Sequence, residues 1–473
     1  MLQTLKNAWN TKEIRAKILF TFFILLIYRI GTVIPVPFVD TNNFASVFSG
    51  TILDYMNILS GGSLEVATLF ALGVTPYINA SIIIQLLAVA FPKLGELSKD
   101  ESGKKIMNMI TRITTVVLAL VTAIGYYFLL KNNNFLTVPA SAEGKAWIYA
   151  VVIVACYCAG ACIIMWLGER INERGLGNGI SIILFANIVA ALPSKLIELV
   201  QLIINAFNYG DHVAARGIGA IAIVLFLIAF VIAVTVFVIF ITGSERRIPV
   251  QYAKMQKGRK MYGGQSSFLP IKLNMVGVMP VIFASSIVSV VPTILALCSV
   301  TGKGETFWDK LYRFLGSDGW FYPVILLILI IAFTYFYTEI SFNPREIANN
   351  LKRQGGTVAG IRQGRPTADY IQKILGKITL VGAFFLAIIA IIPIVGGPLV
   401  LKNLIYLVLK PVETAENASY YQTLLANAMA NAKSYSNYFT FGGTTLLIVV
   451  GVVLETFRDL EAQLTMRNHK NLF

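Results

Sequence analysis

Histidine is almost missing from this chain of 473 residues; the two present are His212 and His469. Charge is scarce as well, at 13% against about 25% in an ordinary soluble domain. Cysteine is limited to Cys156, Cys158, Cys162 and Cys298. Each shortage removes a class of protein. Two widely separated histidines leave little for hydrolytic chemistry, and neither a Walker loop nor a Ser/His/Asp arrangement is present. Three of the cysteines share one apolar block, and they read as small core residues rather than metal ligands or a disulfide framework. No cofactor or metal is expected, and the chain does not read as an enzyme.

What is abundant is apolar. Hydrophobic residues make up 56% of the chain, and mean hydropathy is +0.71. They come in long unbroken blocks, which excludes a soluble enzyme or a disordered chain and leaves an all-α polytopic membrane protein. Alternation of the kind a β-barrel needs is lacking. The basic N-terminus does not read as a cleavable signal, because the apolar block after it is too long and has no small-residue cleavage site.

Ten runs approach twenty residues: Ile18–Val36, Thr75–Phe91, Ile113–Leu130, Trp147–Leu167, Ile180–Ile204, Ile218–Thr242, Met275–Leu297, Trp320–Ile340, Ile374–Val395 and Tyr438–Thr456. Pro193 and Lys195 predict an early end or a tilt for the fifth. The net charge of +15 is distributed unevenly: 28 of the 39 Lys and Arg lie at the termini and in even-numbered loops, and 10 in odd-numbered loops. The positive-inside bias then places both termini in the cytoplasm. Ten spans divide into five plus five, and an odd number per half allows an inverted repeat. Residue-level self-similarity between the halves is not evident.

The central stretches of the spans hold no Asp, Glu, His or Lys, the groups a coupled transporter uses. Arg29 and Gln85 are the notable polar residues there, and Arg29 reads as structural. Between the first two spans lies Leu59–Leu72, too short at about 1.5 Å per residue to cross a hydrocarbon core of about 30 Å. It is either an amphipathic helix on the outer surface or a re-entrant element closing a cavity. Two cytoplasmic loops are long and basic. Gly243–Asn274 carries Arg246, Arg247, Lys254, Lys257, Arg259, Lys260 and Lys272. Ser341–Lys377 carries Arg345, Lys352, Arg353, Arg362, Arg365, Lys373 and Lys377. They serve topology and lipid headgroups, or dock a large anionic partner such as ribosomal RNA or an acidic protein.

Seven strings then carry a family resemblance: GTVIPVPFVD (Gly31–Asp40), FALGVTPYINASIIIQLL (Phe70–Leu87), GERINERGLGNGISIILFANIVAALP (Gly168–Pro193), ERRIPVQYAK (Glu245–Lys254), MVGVMPVIFASSIV (Met275–Val288), SFNPREIANNLKRQGG (Ser341–Gly356) and FGGTTLLIVVGVVLE (Phe441–Glu455). In this order they resemble the SecY family, the pore subunits of bacterial Sec protein translocons, over nearly the whole chain.

The resemblance implies ten transmembrane helices in two inverted five-helix halves, residues 1–205 and 206–473. It implies a channel in the cytoplasmic (inner) membrane that passes unfolded secretory polypeptides and releases transmembrane segments sideways into lipid. Leu59–Leu72 matches the family's re-entrant plug helix, with Gly61, Gly62, Ser63, Leu64, Leu69 and Phe70. The pore ring carries over to Val74, Ile78, Leu184, Ile188, Ile282 and Ile448, all aliphatic, as a constriction that excludes ions by dewetting requires. Gln85, Ser285 and Ser286 fall on the lateral gate. The basic loops match two docking loops, with Arg362 at a position important for the motor ATPase and Gln363 where the family usually has proline. Implied partners are SecE, SecG, the SecA motor, the ribosome, signal sequences and membrane lipid. The external segment Gly396–Asn437 is longer than the family pattern, and its stretch after Pro411 is a candidate helix over the pore mouth. Two rivals are a small-solute transporter, which would need intramembrane charges, and a scaffold that only recruits partners.

Overall fold

The structure is a computed structural model. It describes residues 2–40, 52–97, 100–137, 146–208, 213–252, 255–257, 260–262, 266–298, 300, 306–316, 321–409 and 443–466. The external stretch after Pro411 lies outside the described residues.

Helices dominate. In chain order they are α1 (Leu2–Asn10), α2 (Lys12–Gly31), α3 (Ile52–Leu59), α4 (Thr75–Ala90), α5 (Pro92–Leu97), α6 (Glu101–Asn132), α7 (Ala146–Arg174), α8 (Gly179–Asn208), α9 (Val213–Gly243), α10 (Met279–Leu297), α11 (Phe307–Leu315), α12 (Phe321–Ser341), α13 (Pro344–Arg353), α14 (Arg365–Gly396) and α15 (Lys402–Leu409), followed by α16 at 443–466. Each of the ten expected spans falls on one of them. Seven are long and apolar enough to cross a membrane by length and composition. Of the other three, α4 has only 16 residues, and α2 and α16 carry charged ends.

Local sequence explains several ends. Pro280 opens α10, where its missing N–H would have no helical partner anyway. Asn343 caps α13 by accepting from the Arg345 amide, and Lys352 and Arg353 in its last turn suit the helix dipole. The first span differs from expectation: α2 starts six residues before Ile18 and stops at Gly31. The rest of that apolar run pairs like a strand instead, with the Val36 amide donating to Ala67 O (3.2 Å) and the Leu69 amide to Ile34 O (2.9 Å). The early end allowed for the fifth span does not occur. Pro193 sits inside a continuous α8.

The helices pack pairwise, α4 on α6, α6 on α7, α8 on α9, α10 on α12 and α12 on α14. Their outward faces stay apolar. On α9, Leu225, Phe226, Val236 and Phe240 are exposed, an apolar surface too extensive for water and suited to acyl chains. The protein is a multi-pass membrane protein.

The two basic loops are folded, which the sequence reading missed. A three-stranded antiparallel sheet has the order β4 (Ser266–Lys272), β1 (Glu245–Tyr252), β5 (Gly356–Val358). Val250 pairs with Ser267 on one side and with Val358 on the other, so the two basic loops share one sheet. Alternation along β1 buries Ile248 and Val250. They pack with Ile271, Leu351, Val358, Ile371 and Ile374 from β4, α13, β5 and α14. A separate hairpin joins β2 (Met255–Lys257) to β3 (Lys260–Tyr262).

Candidate functional site

The six aliphatic ring candidates come from the ends or middles of four helices and meet in one buried cluster. Val74, Ile78, Leu184, Ile188, Ile282 and Ile448 are each at most 5% exposed and belong to the same apolar core. Backbone geometry sets their position. Gly73 adopts φ +56°, a left-handed turn that few other residues accept. It delivers Val74 to the cap of α4, with Pro76 in the first turn.

The short helix expected at Leu59–Leu72 is found earlier in the chain. It is α3, Ile52–Leu59, and 60–74 is a run of turns. Gly61 and Gly62 end this helix rather than lead into one. Their φ values are +71° and +83°, and the Gly62 amide reaches back to Asn57 O (2.9 Å) and the Gly61 amide to Ile58 O (3.1 Å). That is a left-handed helix cap. Helix α3 contacts α8 and α10, and Thr293 Oγ1 of α10 reaches Met56 Sδ at 3.3 Å.

Residues 63–69 form a strap sewn into the protein. Tyr126 donates its hydroxyl to Leu64 O (2.6 Å), and Tyr157 donates to Ala67 O (3.5 Å). Leu64, Ala67 and Phe70 are buried, as are Ser63 and Thr68, while Leu69 packs against the central core. The segment is not helical, and Val66 is its exposed position between 63 and 70. Two glycines permit the close approach. A Cβ on Gly160 of α7 would fall 1.9 Å from Leu69 O, and one on Gly31 would fall 2.0 Å from the Phe70 ring. Arg29, at the end of α2, reaches Gly61 O at 3.5 Å.

Gln85 of α4 accepts a hydrogen bond from the Tyr337 hydroxyl of α12, and its amide donates to Ser81 Oγ at 2.9 Å. Tyr337 also packs its ring on Phe283 of α10, with centroids 5.1 Å apart. Ser285 Oγ donates to Ile282 O within its own helix (2.9 Å), and Ser286 O accepts from Ser289 Oγ (2.8 Å). The contact between α4 and the α10/α12 pair includes Gln85, Tyr337 and Phe283. Tyr337 escaped the sequence reading. Its signal was a polar-tipped aromatic near the end of an otherwise apolar span.

Of the basic docking candidates, Arg246 and Arg247 are exposed on β1, Arg353 ends α13, and Arg362 and Arg365 flank the turn before α14, all exposed. Lys257 and Lys260 belong to the β2–β3 hairpin; Lys254 and Arg259 lie outside the described residues. Burial, reinforced by repulsion from Arg458 and opposed by Glu245, pushes the Lys272 ammonium below its usual range. The turn accommodates Gln363 without proline. Gly360 (φ +79°) and Gly364 (φ +93°) bracket it, Gln363 Nε2 donates to Gly356 O (3.4 Å), and Thr367 Oγ1 donates to Arg362 O (2.7 Å).

The family model described as SecY matches residues 68–457. A protein translocase subunit SecY from Streptomyces galbus is 36% identical over 480 residues, covering 99% of each chain. One from Mycobacterium bovis is 37% identical over 486 residues with the same coverage. Among solved structures, a protein-conducting channel aligns with a TM-score of 0.58 at 16% identity, covering 95% of this chain and 92% of that one. Sec61 from the canine ribosome-channel complex of the endoplasmic reticulum gives a TM-score of 0.54 at 15% identity, again over 95% and 92%. The structural matches establish a shared fold, and the full-length sequence matches establish descent. The chain belongs to the SecY family.

Proposed function

We propose that this protein is a protein-conducting channel of the cytoplasmic membrane, with both termini cytoplasmic. Unfolded secretory polypeptides pass through the ring of Val74, Ile78, Leu184, Ile188, Ile282 and Ile448. Transmembrane segments leave sideways between α4/α6 and α10/α12. As a member of this family it is a channel subunit and not an enzyme; work is supplied by a partner. The observation that carries the reading is the convergence of six aliphatic side chains from four helices, with α3 and the strap packed beside them. An aliphatic ring closes on itself when idle and fits around any extended chain without hydrogen-bonding to it, so it seals without selecting sequence.

The related SecY structure whose plug domain stabilises the closed state and maintains a membrane seal supports α3 as the plug here, with Gly61 to Phe70 as its tether. The halves 1–205 and 206–473 part at the gate. The joined basic loops dock the SecA motor or the ribosome, the latter consistent with the ribosome-bound canine relative. Arg246, Arg247, Lys254, Lys257, Arg259, Lys260, Arg353, Arg362 and Arg365 provide the charge for that docking. SecE and SecG complete the complex.

A photo-crosslinking residue at Ile282 tests the pore directly. With a secretory precursor stalled in membrane vesicles, crosslinks to its mature region are expected there. Crosslinks confined to the basic loops would leave only a docking scaffold. The gate has its own test in Tyr337→Phe, which removes one interhelical hydrogen bond worth about 0.6 kcal/mol on average in membrane proteins. Export of precursors with weakened signal sequences is expected to rise by roughly threefold. Unchanged signal stringency would remove Tyr337 from the gate.

A further inference from the structure

Asn187 is an amide in the middle of an apolar run, between the ring candidates Leu184 and Ile188 on α8, and it is 1% exposed. A buried amide without partners is destabilising, so its bonds identify what it is for. Its Nδ2 donates to Leu59 O at 2.8 Å. Leu59 is the last residue of α3, and its carbonyl is one of those a helix end cannot satisfy within itself. The neighbouring carbonyls of that end are already used: Met56 O accepts from Ser60 N, Asn57 O from Gly62 N, and Ile58 O from Gly61 N. Leu59 O is left for Asn187.

The other end of the amide faces a second helix. The Tyr28 hydroxyl of α2 lies beside the Asn187 side chain. Tyr28 Oη and Asn187 Oδ1 are both buried, and neither has a partner at full hydrogen-bond geometry. The Tyr28 ring stacks on Phe70, with centroids 5.4 Å apart and planes at 14°. Gly61 completes the fit, since a Cβ there would meet Asn187 Oδ1 at 3.0 Å.

We infer that Asn187 is a positioning residue that latches the plug: Tyr28 hydroxyl to Asn187 amide to Leu59 carbonyl ties α2, α8 and the end of α3 together in the idle channel. The inference rests on the reading of α3 as the plug. Because Leu184 and Ile188 flank Asn187, the latch and the ring share one helical turn, and a chain that spreads the ring strains the latch. Tyr28 acts only through Asn187.

The test records resting ion conductance of the purified full-length complex in planar bilayers, without precursor. Asn187→Leu is expected to raise it about tenfold, the equivalent of one buried hydrogen bond. Tyr28→Phe keeps the ring and its stacking and is expected to give a smaller rise. The Tyr28→Phe/Asn187→Leu double variant is expected to match Asn187→Leu alone. Additive effects would overturn the relay. Variants that lower the melting temperature but leave conductance unchanged would make Asn187 a packing residue and overturn the latch. Deletion of Ile52–Gly62 separates the two readings. If the deletion conducts while the point variants stay silent, the latch is wrong and the plug stands; if the deletion is silent too, both fall.

Discussion

Replacing Ile448 by asparagine is expected to make the idle channel leak. Ile448 is 1% exposed inside the apolar cluster that holds all six ring candidates. Asparagine is close to it in size but brings a carbonyl and an amide that the aliphatic neighbours cannot satisfy. Burying such a group without partners is unfavourable by about 2 kcal/mol in proteins, and a hydrated open ring escapes that penalty. The open-to-closed ratio should therefore rise roughly thirtyfold. Bilayer conductance without precursor reads this directly, and export of precursors with defective signal sequences should rise alongside. An Ile448→Val control keeps the ring dry and should stay near wild type in both. Unchanged leak with Ile448→Asn would mean that residue 448 lies outside the constriction.

Gly160→Ala is expected to be strongly destabilising. A Cβ at this position lands 1.9 Å from Leu69 O, and ordinary contact requires more than 3 Å. The obstacle is backbone, which cannot rotate away. The strap that carries it is held by Leu69 N to Ile34 O, Val36 N to Ala67 O and the Tyr126 hydroxyl to Leu64 O. Either α7 shifts, or the strap tears free of these bonds. Overpacking of this kind is destabilising by about 1–3 kcal/mol, and more when backbone must move. A clear fall in melting temperature is expected, with resting leak if the strap gives way first. Gly376→Ala is the matched control. Gly376 lies inside α14 with nothing within 4 Å of an added Cβ, so alanine should be neutral or stabilise by up to about 1 kcal/mol through helix propensity. Equal stability of the two variants would show that the strap does not pass this close to α7.

Much of this was legible in the sequence, and the parts that were not share a cause. Apolar blocks near twenty residues are a strong signal, and all ten spans were found from it. The ring candidates came from motif resemblance, and the structure gathers all six in one buried apolar cluster. The short helix was expected after Gly61-Gly62 rather than before it because the diglycine was read as a flexible lead-in. A diglycine serves equally to end a helix, and only the bonds back to Asn57 and Ile58 decide which. The end of the first span was missed for a related reason: Ile34 and Val36 are as apolar as any span residue, yet their backbone pairs with a segment thirty residues away. Tyr337 and Asn187 were passed over because a single polar tip in an apolar run has no meaning until its partner is known. The folded basic loops were hidden by their charge and glycine content, which mask three short strands brought together from segments about a hundred residues apart.

That shared sheet has a mechanical consequence. β1 leaves α9, β4 leads into α10, and β5 sits between α13 and α14, so one rigid handle grips three spans of the second half. Force applied at the Arg362 turn does not dissipate in a slack loop. It passes to α9, α10 and α14 together through the strands that join them.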